Sequence, residues 1–400
     1  MTETSMAALL GSTDGPQRHI AYAQLAASGP VQHVTFLPGV PAWLITGYHE
    51  VRQSLLDPRL IKREMTQAAL SRGALSPEMC AATGQHMLNC DPPDHTRLRR
   101  LVAAAFTQRR VEALAPRIQQ ITDELLDALT DVEQVDLIAE LAYPLPITVI
   151  CELLGIPAQR GTEFRAWSAI IVTGMQAQTD EFVAASTAMA GYLRDLVAAK
   201  RAAPADDLLS ALVAARDGAE RLSEDELTSM GFLLLLAGHE TTVNLIGNGL
   251  HALLTHPQQL AVLRAEPDRL PAAIEELLRF DSPVQVASFR QTSEPVEIGG
   301  VTIPAGQIVI MGLLAANRDP TRFTDPDVLD IGREDNPHLA FSHGIHHCLG
   351  APLARLEGRI ALGTLLARFP ELRLAVPAGQ LTWQPGMLMN GLTALPVLMH

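Results

Sequence analysis

Phe341-Ser342-His343-Gly344-Ile345-His346-His347-Cys348-Leu349-Gly350 places a single cysteine where a loop gives way to a helix. After it, Leu349, Leu353, Leu356 and Ile360 recur at helical spacing, so an amphipathic helix is predicted there, with Pro352 tolerated in its first turn. Unpaired N–H groups and the positive end of the helix dipole favour a thiolate at such an N-terminus, and the thiolate is the form that binds metal. Gly344 and Gly350 are expected to let the backbone turn tightly and approach something flat and bulky. Two other readings stand beside this one. A lone cysteine is commonly an inert small hydrophobe, the default for Cys80, Cys90 and Cys151. The cluster His343, His346, His347 and Cys348 also suggests zinc, although a second pair of ligands further along the chain is not evident.

Working outward, the next chemical stretch is Ala237-Gly238-His239-Glu240-Thr241-Thr242, inside an apolar run that starts after Ser223 and continues to about Leu254. Ser223 is a helix cap with Glu224 and Glu226 in the first turn, and a helix of about 32 residues would span about 48 Å at about 1.5 Å per residue. Glycine in mid-helix costs about 1 kcal/mol relative to alanine, so an acid, a hydroxyl and a glycine there need a reason. One is a kink with a polar side. The other is a small space at Gly238 beside a proton relay through Glu240 and Thr241, since an apolar pocket offers no protons unless a relay is built in. His239 and Thr242 are given no catalytic role, and His239 is read as satisfied or exposed.

Upstream, Asp91-Pro92-Pro93-Asp94-His95-Thr96-Arg97-Leu98-Arg99-Arg100 reads as a turn and then a helix to about Phe106. His95 and Arg99, four apart, share a face that can hold a carboxylate; alone, the segment is a solvated basic face. Arg97, Arg100, Arg109 and Arg110 are expected outside, as a local basic patch for an acidic electron donor. Glu276 and Arg279 in Glu275-Glu276-Leu277-Leu278-Arg279 can pair, and an exposed pair of this kind contributes little.

The cysteine stretch resembles the ligand loop of the cytochrome P450 family, in which Phe341, Gly344, His346, Cys348 and Gly350 match and Ser342 replaces a usual glycine. The Ala237–Thr241 stretch is similar to the family's oxygen-activation motif, and Glu276-x-x-Arg279 lies between the two in the family's order. The resemblance implies that Cys348 is the axial ligand of a haem b, whose thiolate favours O–O cleavage. It implies propionate contacts from His95, Arg99 and Arg290, and haem contacts from Ala237, Gly238, Phe341, Gly344, His346 and Gly350. Glu240 becomes the proton relay and Thr241 the hydrogen bond to the oxygen being activated, while Leu233, Val286, Ala287, Leu388 and Met389 line the substrate pocket. Glu276, Arg279 and Arg333 brace the cysteine loop as structural residues, with Leu329 where the family has Phe. The implied reaction is insertion of one atom of O2 into a large apolar substrate, by hydroxylation or epoxidation, with electrons from NAD(P)H through a ferredoxin reductase and ferredoxin. The two central motifs look most like soluble actinobacterial enzymes that tailor macrolides and other polyketides; a steroid or terpenoid hydroxylase, a peroxide-driven oxygenase and a non-catalytic haem sensor or carrier are the alternatives.

Composition agrees with a folded globule: 400 residues, 48% hydrophobic and 18% charged. The formal charge of −14 argues against nucleic-acid binding, and four cysteines without CxxC pairs fit a reducing compartment. No signal peptide or membrane span is evident, and a cytoplasmic monomer is expected. The fold expected is mainly α in one domain, 1–400, with β-rich parts at about 31–48, 284–312 and 372–398. In detail, 31–48 is a hairpin around Pro38-Gly39-Val40-Pro41, 66–89 a loop with short helices, and Val111 to about Arg216 helix after helix, broken near Pro144, Pro157 and Pro204. The resemblance implies that 66–89 lies over the haem and that Thr162–Ala203 forms the helix pair that caps the pocket, with Met175 and Met189 read as packing. Val284–Arg290 reads as a strand, Arg290 unaided as an edge-strand charge, and Gly299-Gly300 as the turn between Val296–Ile298 and Val301–Ile303.

Overall fold

The computed structural model describes residues 15–37, 40–62, 77–157, 160–174, 179–217 and 220–400. Helices dominate, with small sheets. The chain divides into two compact units: one is Met1–Leu60, Leu114–Leu145 and Thr241–His400, the other Ile61–Ala113 and Pro146–Glu240.

In the first unit, Val31–Leu37 pairs antiparallel with Val40–Ile45; of the expected hairpin tip, Pro38 and Gly39 lie outside the described residues. Val40–Ile45 then pairs in parallel with Ile308–Met311, and Arg290–Thr292 pairs antiparallel on the far side of that strand, with Leu60 beyond it. Apolar residues of both faces are buried: Val34, Ala42, Leu44 and Ile310 on one, Ile45, Val309 and Met311 on the other. Val296–Ile298 and Val301–Ile303 form the expected hairpin, with φ of 55° at Gly299 and 77° at Gly300, the left-handed pair that a two-residue turn requires. The helix Ala351–Arg368 packs against Ala115–Asp127 and Leu270–Phe280.

Two expectations are corrected here and one is met. Gln134–Asp136 is a strand inside a region read as helical, because it pairs with Pro396–Leu398, a partner more than 250 residues away that no local pattern announces. Val284 to Phe289 makes only isolated bridges at Val284 and Val286, and the strand begins at Arg290. The expected break near Pro144 is present: one helical stretch, Ile138–Ala142, ends at Tyr143, and Pro144 opens the next, Pro144–Leu154, at a first-turn position where its missing N–H is not needed.

In the second unit, Asp94–Ala105 buries His95, Leu98, Leu101, Val102 and Ala105 on one stripe. Gly161–Gly174 and Asp180–Ala202 pack together: Phe164 meets Trp167 and Tyr192 edge-on at 5.2 and 5.1 Å, and the Arg160 guanidinium lies 4.7 Å from the Tyr192 ring centre. Met189 is fully buried there, as packing requires; Met175 lies outside the described residues. So do residues 66–76 of the 66–89 segment; its remainder contains the short helix Pro77–Gly84 and the turn Met87–Asn89.

The helix Glu224–Thr255 runs for 32 residues without interruption, and the boundary between the units falls inside it, between Glu240 and Thr241. A reciprocal capping box starts it: the Glu226 N–H donates to Ser223 Oγ at 3.2 Å and the Ser223 N–H donates to Glu226 Oε2 at 2.8 Å. Glu226 also takes the Arg97 guanidinium, so Arg97 is half-buried and paired instead of standing outside in a basic patch.

Candidate active site

Cys348 lies two residues before Gly350, the N-cap of Ala351–Arg368, and it is exposed. The other three cysteines differ: burial pushes the Cys90 thiol up to about 11 and Cys151 to about 12, and it raises Cys80 as well. The loop before the sulfur is held at defined points. Cys348 N–H donates to the Phe341 carbonyl at 2.9 Å, Ser342 N–H to Leu339 at 2.7 Å and His347 N–H to Gly344 at 3.0 Å. Gly344 has φ of 73°, and a Cβ there would stand 2.9 Å from the Leu55 carbonyl oxygen. Ser342 adopts φ of 61°, the conformation a glycine would take more easily. Gly350 does not turn left-handed, with φ of −80°, and an added Cβ would make only an ordinary contact with the Cys348 sulfur, at 3.9 Å, so the tight turn expected there is not seen.

His346 is half-buried and His343 is not part of a metal cluster: among the described residues no three His, Cys, Asp or Glu side chains are placed to hold an ion. That removes the geometric support for zinc.

Glu276 gathers the brace predicted around the loop. It accepts Arg279 Nε at 2.7 Å and Nη2 at 2.8 Å, Arg333 Nε at 3.2 Å, Asn336 Nδ2 at 3.2 Å and the Asp330 N–H at 3.0 Å. Arg279 extends it to the carbonyls of Asn317, Pro326 and Val328. The pair expected to be exposed is instead fully buried, and Leu329 is buried beside it. Arg290 likewise is not an edge charge: it is buried on an interior strand, with Nη1 3.5 Å from the Leu60 carbonyl. Val286 and Leu388 pack into the apolar cluster around Val34 and Ile310, and Ala287 into its neighbour. The Leu388-Met389 tip is clamped by Gln285, whose amide donates to the Gly386 and Met389 carbonyls at 2.9 Å each and whose N–H donates to Leu388 at 2.8 Å.

In the second unit, His95 is buried and Arg99 half-buried on Asp94–Ala105. Leu233 and Gly238 are half-buried and Ala237 is exposed, although Ala237 stands midway along an apolar helix. A Cβ at Gly238 would come within 2.9 Å of Ile150. Glu240 is buried, and Thr241, which begins the first unit's share of the helix, is half-buried. His239 is fully buried: its Nδ1 donates to the Leu235 carbonyl at 2.7 Å, leaving Nε2 3.7 Å from Glu240, and burial pulls its pKa down to about 4.

A group that sequence reading missed also reaches the cysteine loop. Glu275, Arg355 and His338 form a cluster beside Phe341 whose members are 63 and 80 residues apart in sequence, and no local period marks them.

The family profile described as Cytochrome P450 matches residues 175–375. The vitamin D(3) 25-hydroxylase of Pseudonocardia autotrophica is 48% identical over 399 residues, covering 100% of this chain and 98% of that protein. The 6-deoxyerythronolide B hydroxylase of Saccharopolyspora erythraea is 45% identical over 383 residues, 94% of each. The tirandamycin C-bound structure of the P450 monooxygenase TamI superposes with a TM-score of 0.88 at 48% identity, covering 97% of this chain and 98% of that one.

Proposed function

The chain belongs to the cytochrome P450 family, a haem b monooxygenase, and from that premise we propose that it oxygenates a macrolide or related polyketide, with Cys348 as the axial ligand. The first unit's residues fit the cofactor: an exposed thiol ahead of a helix N-terminus suits an axial ligand, and the buried cation Arg290 suits a carboxylate; in the second unit, His95 and Arg99 on one helix are the proposed carboxylate partners. When bound, haem supplies the activation of O2 and the radical chemistry of oxygen insertion.

Everything else falls to the chain. Cys348 gives the thiolate, and Phe341, Gly344, His346 and Gly350 shape the loop that presents it. Ala237 adds only a methyl at mid-helix, while Gly238 makes room for the Ile150 side chain, which an added Cβ would meet at 2.9 Å. Glu240, buried on the long helix, passes protons inward, and the Thr241 hydroxyl holds the receiving oxygen by a hydrogen bond. Leu233, Val286, Ala287, Leu388 and Met389 supply the apolar lining; Val286 and Ala287, wholly buried, act by shaping it from behind.

We read residues 1–400 as one catalytic domain, supported by relatives that match along 94–100% of the chain. Among the described residues no helix is long and apolar enough to cross a membrane. A cytoplasmic monomer drawing electrons from NAD(P)H through a ferredoxin reductase and ferredoxin is the matching cellular reading.

The observation that carries the proposal is the exposed Cys348 thiol on a loop hydrogen-bonded at both of its ends. The macrolide reading is supported by the relative named for 6-deoxyerythronolide B, while the relative named for vitamin D(3) keeps a steroid-like substrate as the second reading. Spectral titration of the full-length protein against macrolides and secosteroids decides between them. Tight, saturable shifts with the macrolides are expected; shifts confined to the secosteroids would reverse the choice. Thr241→Ala is expected to consume electrons with less product per turnover, and unchanged coupling would remove Thr241 from the catalytic assignment.

A further inference from the structure

Glu275 touches the cysteine loop by a route separate from that of Glu276. Its carboxylate receives both arms of the Arg355 fork, Nε to Oε1 and Nη2 to Oε2, each at 2.7 Å. His338 Nε2 donates to Glu275 Oε2 at 3.1 Å, while His338 Nδ1 accepts the Ala340 N–H at 3.2 Å. The Arg355 guanidinium lies 4.6 Å from the centre of the Phe341 ring. Phe341 in turn gives its carbonyl to the Cys348 N–H. A planar, always-charged fork satisfies a carboxylate and a ring face at once, which lysine does not.

The electrostatics point the same way. Burial pushes Glu275 up, but hydrogen bonds from His338 and Arg355 outweigh it and hold the carboxyl at about 2. Arg355 is kept charged by its bond to Glu275, against the effect of burial, and also by the charges of Glu275 and Cys348.

We propose that Arg355, clamped by Glu275 and laid over Phe341, is a positioning residue that sets the electrostatic environment of the Cys348 sulfur and thereby the reduction potential of the haem. This rests on Cys348 being the axial ligand. A cation beside a thiolate draws electron density from it and favours the reduced, more negative state of the metal centre; a carboxylate on the cation's other side weakens that effect. The two partners therefore pull the potential in opposite directions, which a purely structural role would not do.

The test is a spectroelectrochemical titration of the haem-loaded full chain. Arg355→Gln is expected to lower the reduction potential and Glu275→Gln to raise it, with Arg355→Lys closer to wild type than Arg355→Gln. Shifts of the same sign in the two glutamine variants, or no shift in either, overturn the proposal. If Arg355→Gln does not retain haem, Glu275→Gln alone decides: a rise supports the proposal, and a fall or no change overturns it. The carbon monoxide complex of the reduced wild type serves as the control, because absence of its far-red-shifted Soret band would reject Cys348 ligation itself, a failure distinct from that of Arg355.

Discussion

Glu275 and Glu276 are consecutive on one helix, yet they serve the same loop under opposite physical conditions. The Glu276 side chain is 1% exposed and its partner Arg279 0%, whereas Glu275 is 31% and Arg355 36% exposed. A buried pair has given up water on both sides and persists only because its donors and acceptors are used: six hydrogen bonds reach Glu276 from Arg279, Arg333, Asn336 and Asp330. A half-exposed pair contributes little to stability, so what it does must come from where it points. Glu276 fixes the segment 317–333 in place; Glu275 holds Arg355, whose guanidinium lies over Phe341.

The largest effect that bears on this contrast is Arg279→Ala. It strands Glu276 in the interior, and removing one partner of a buried pair costs about 3–5 kcal/mol, read as a drop in unfolding free energy by denaturant titration. A loss below about 1 kcal/mol would show the cluster to be no more buried energetically than its neighbour. Next is Gly344→Ala, which tests the loop that both residues serve. Its φ of 73° and the clash with the Leu55 carbonyl predict about 1–3 kcal/mol of destabilisation together with poorer haem retention. Unchanged haem content and stability would mean that the loop is not held in this conformation.

Glu275→Gln is expected to cost about 1 kcal/mol or less, since the pair is about a third exposed and screened. A loss as large as that of Arg279→Ala would erase the distinction drawn here.

The last prediction concerns a third acid near the same helices, and its sign matters more than its size. Glu357 is buried, its Oε2 has no hydrogen-bond partner, and burial raises its pKa well above 4.5. A folded pKa above the unfolded one means that this group's stabilisation is complete below about pH 4.5 and is lost as pH rises through the folded pKa. Wild type should therefore lose stability relative to Glu357→Gln as pH rises above about 4.5; a flat difference would show that Glu357 is not carried as a neutral acid.

The features legible in the sequence are those written in neighbouring residues. Ser223 with Glu226 announced the long helix, Gly299-Gly300 the hairpin, and the phrase around Cys348 the ligand loop. What escaped depends on partners far along the chain. Gln134–Asp136 is a strand only because Pro396–Leu398 lies beside it, and Arg290 is buried only because its strand is flanked on both sides. The exposure of Glu276 was misjudged for the same reason: an i,i+3 acid and base look alike in sequence whether water or Arg333 completes their surroundings. Glu275, His338 and Arg355 gave no signal, because three charges or donors on two helices and a loop meet only after folding.

The central claim is that the Cys348 sulfur is the protein's bond to the haem, and the carbon monoxide difference spectrum of the reduced protein tests it most directly. The far-red-shifted Soret band of thiolate ligation is predicted for the wild type, with its loss in Cys348→Ala. A pigmented Cys348→Ala protein that keeps this band, or a wild type that never shows it, would contradict the account.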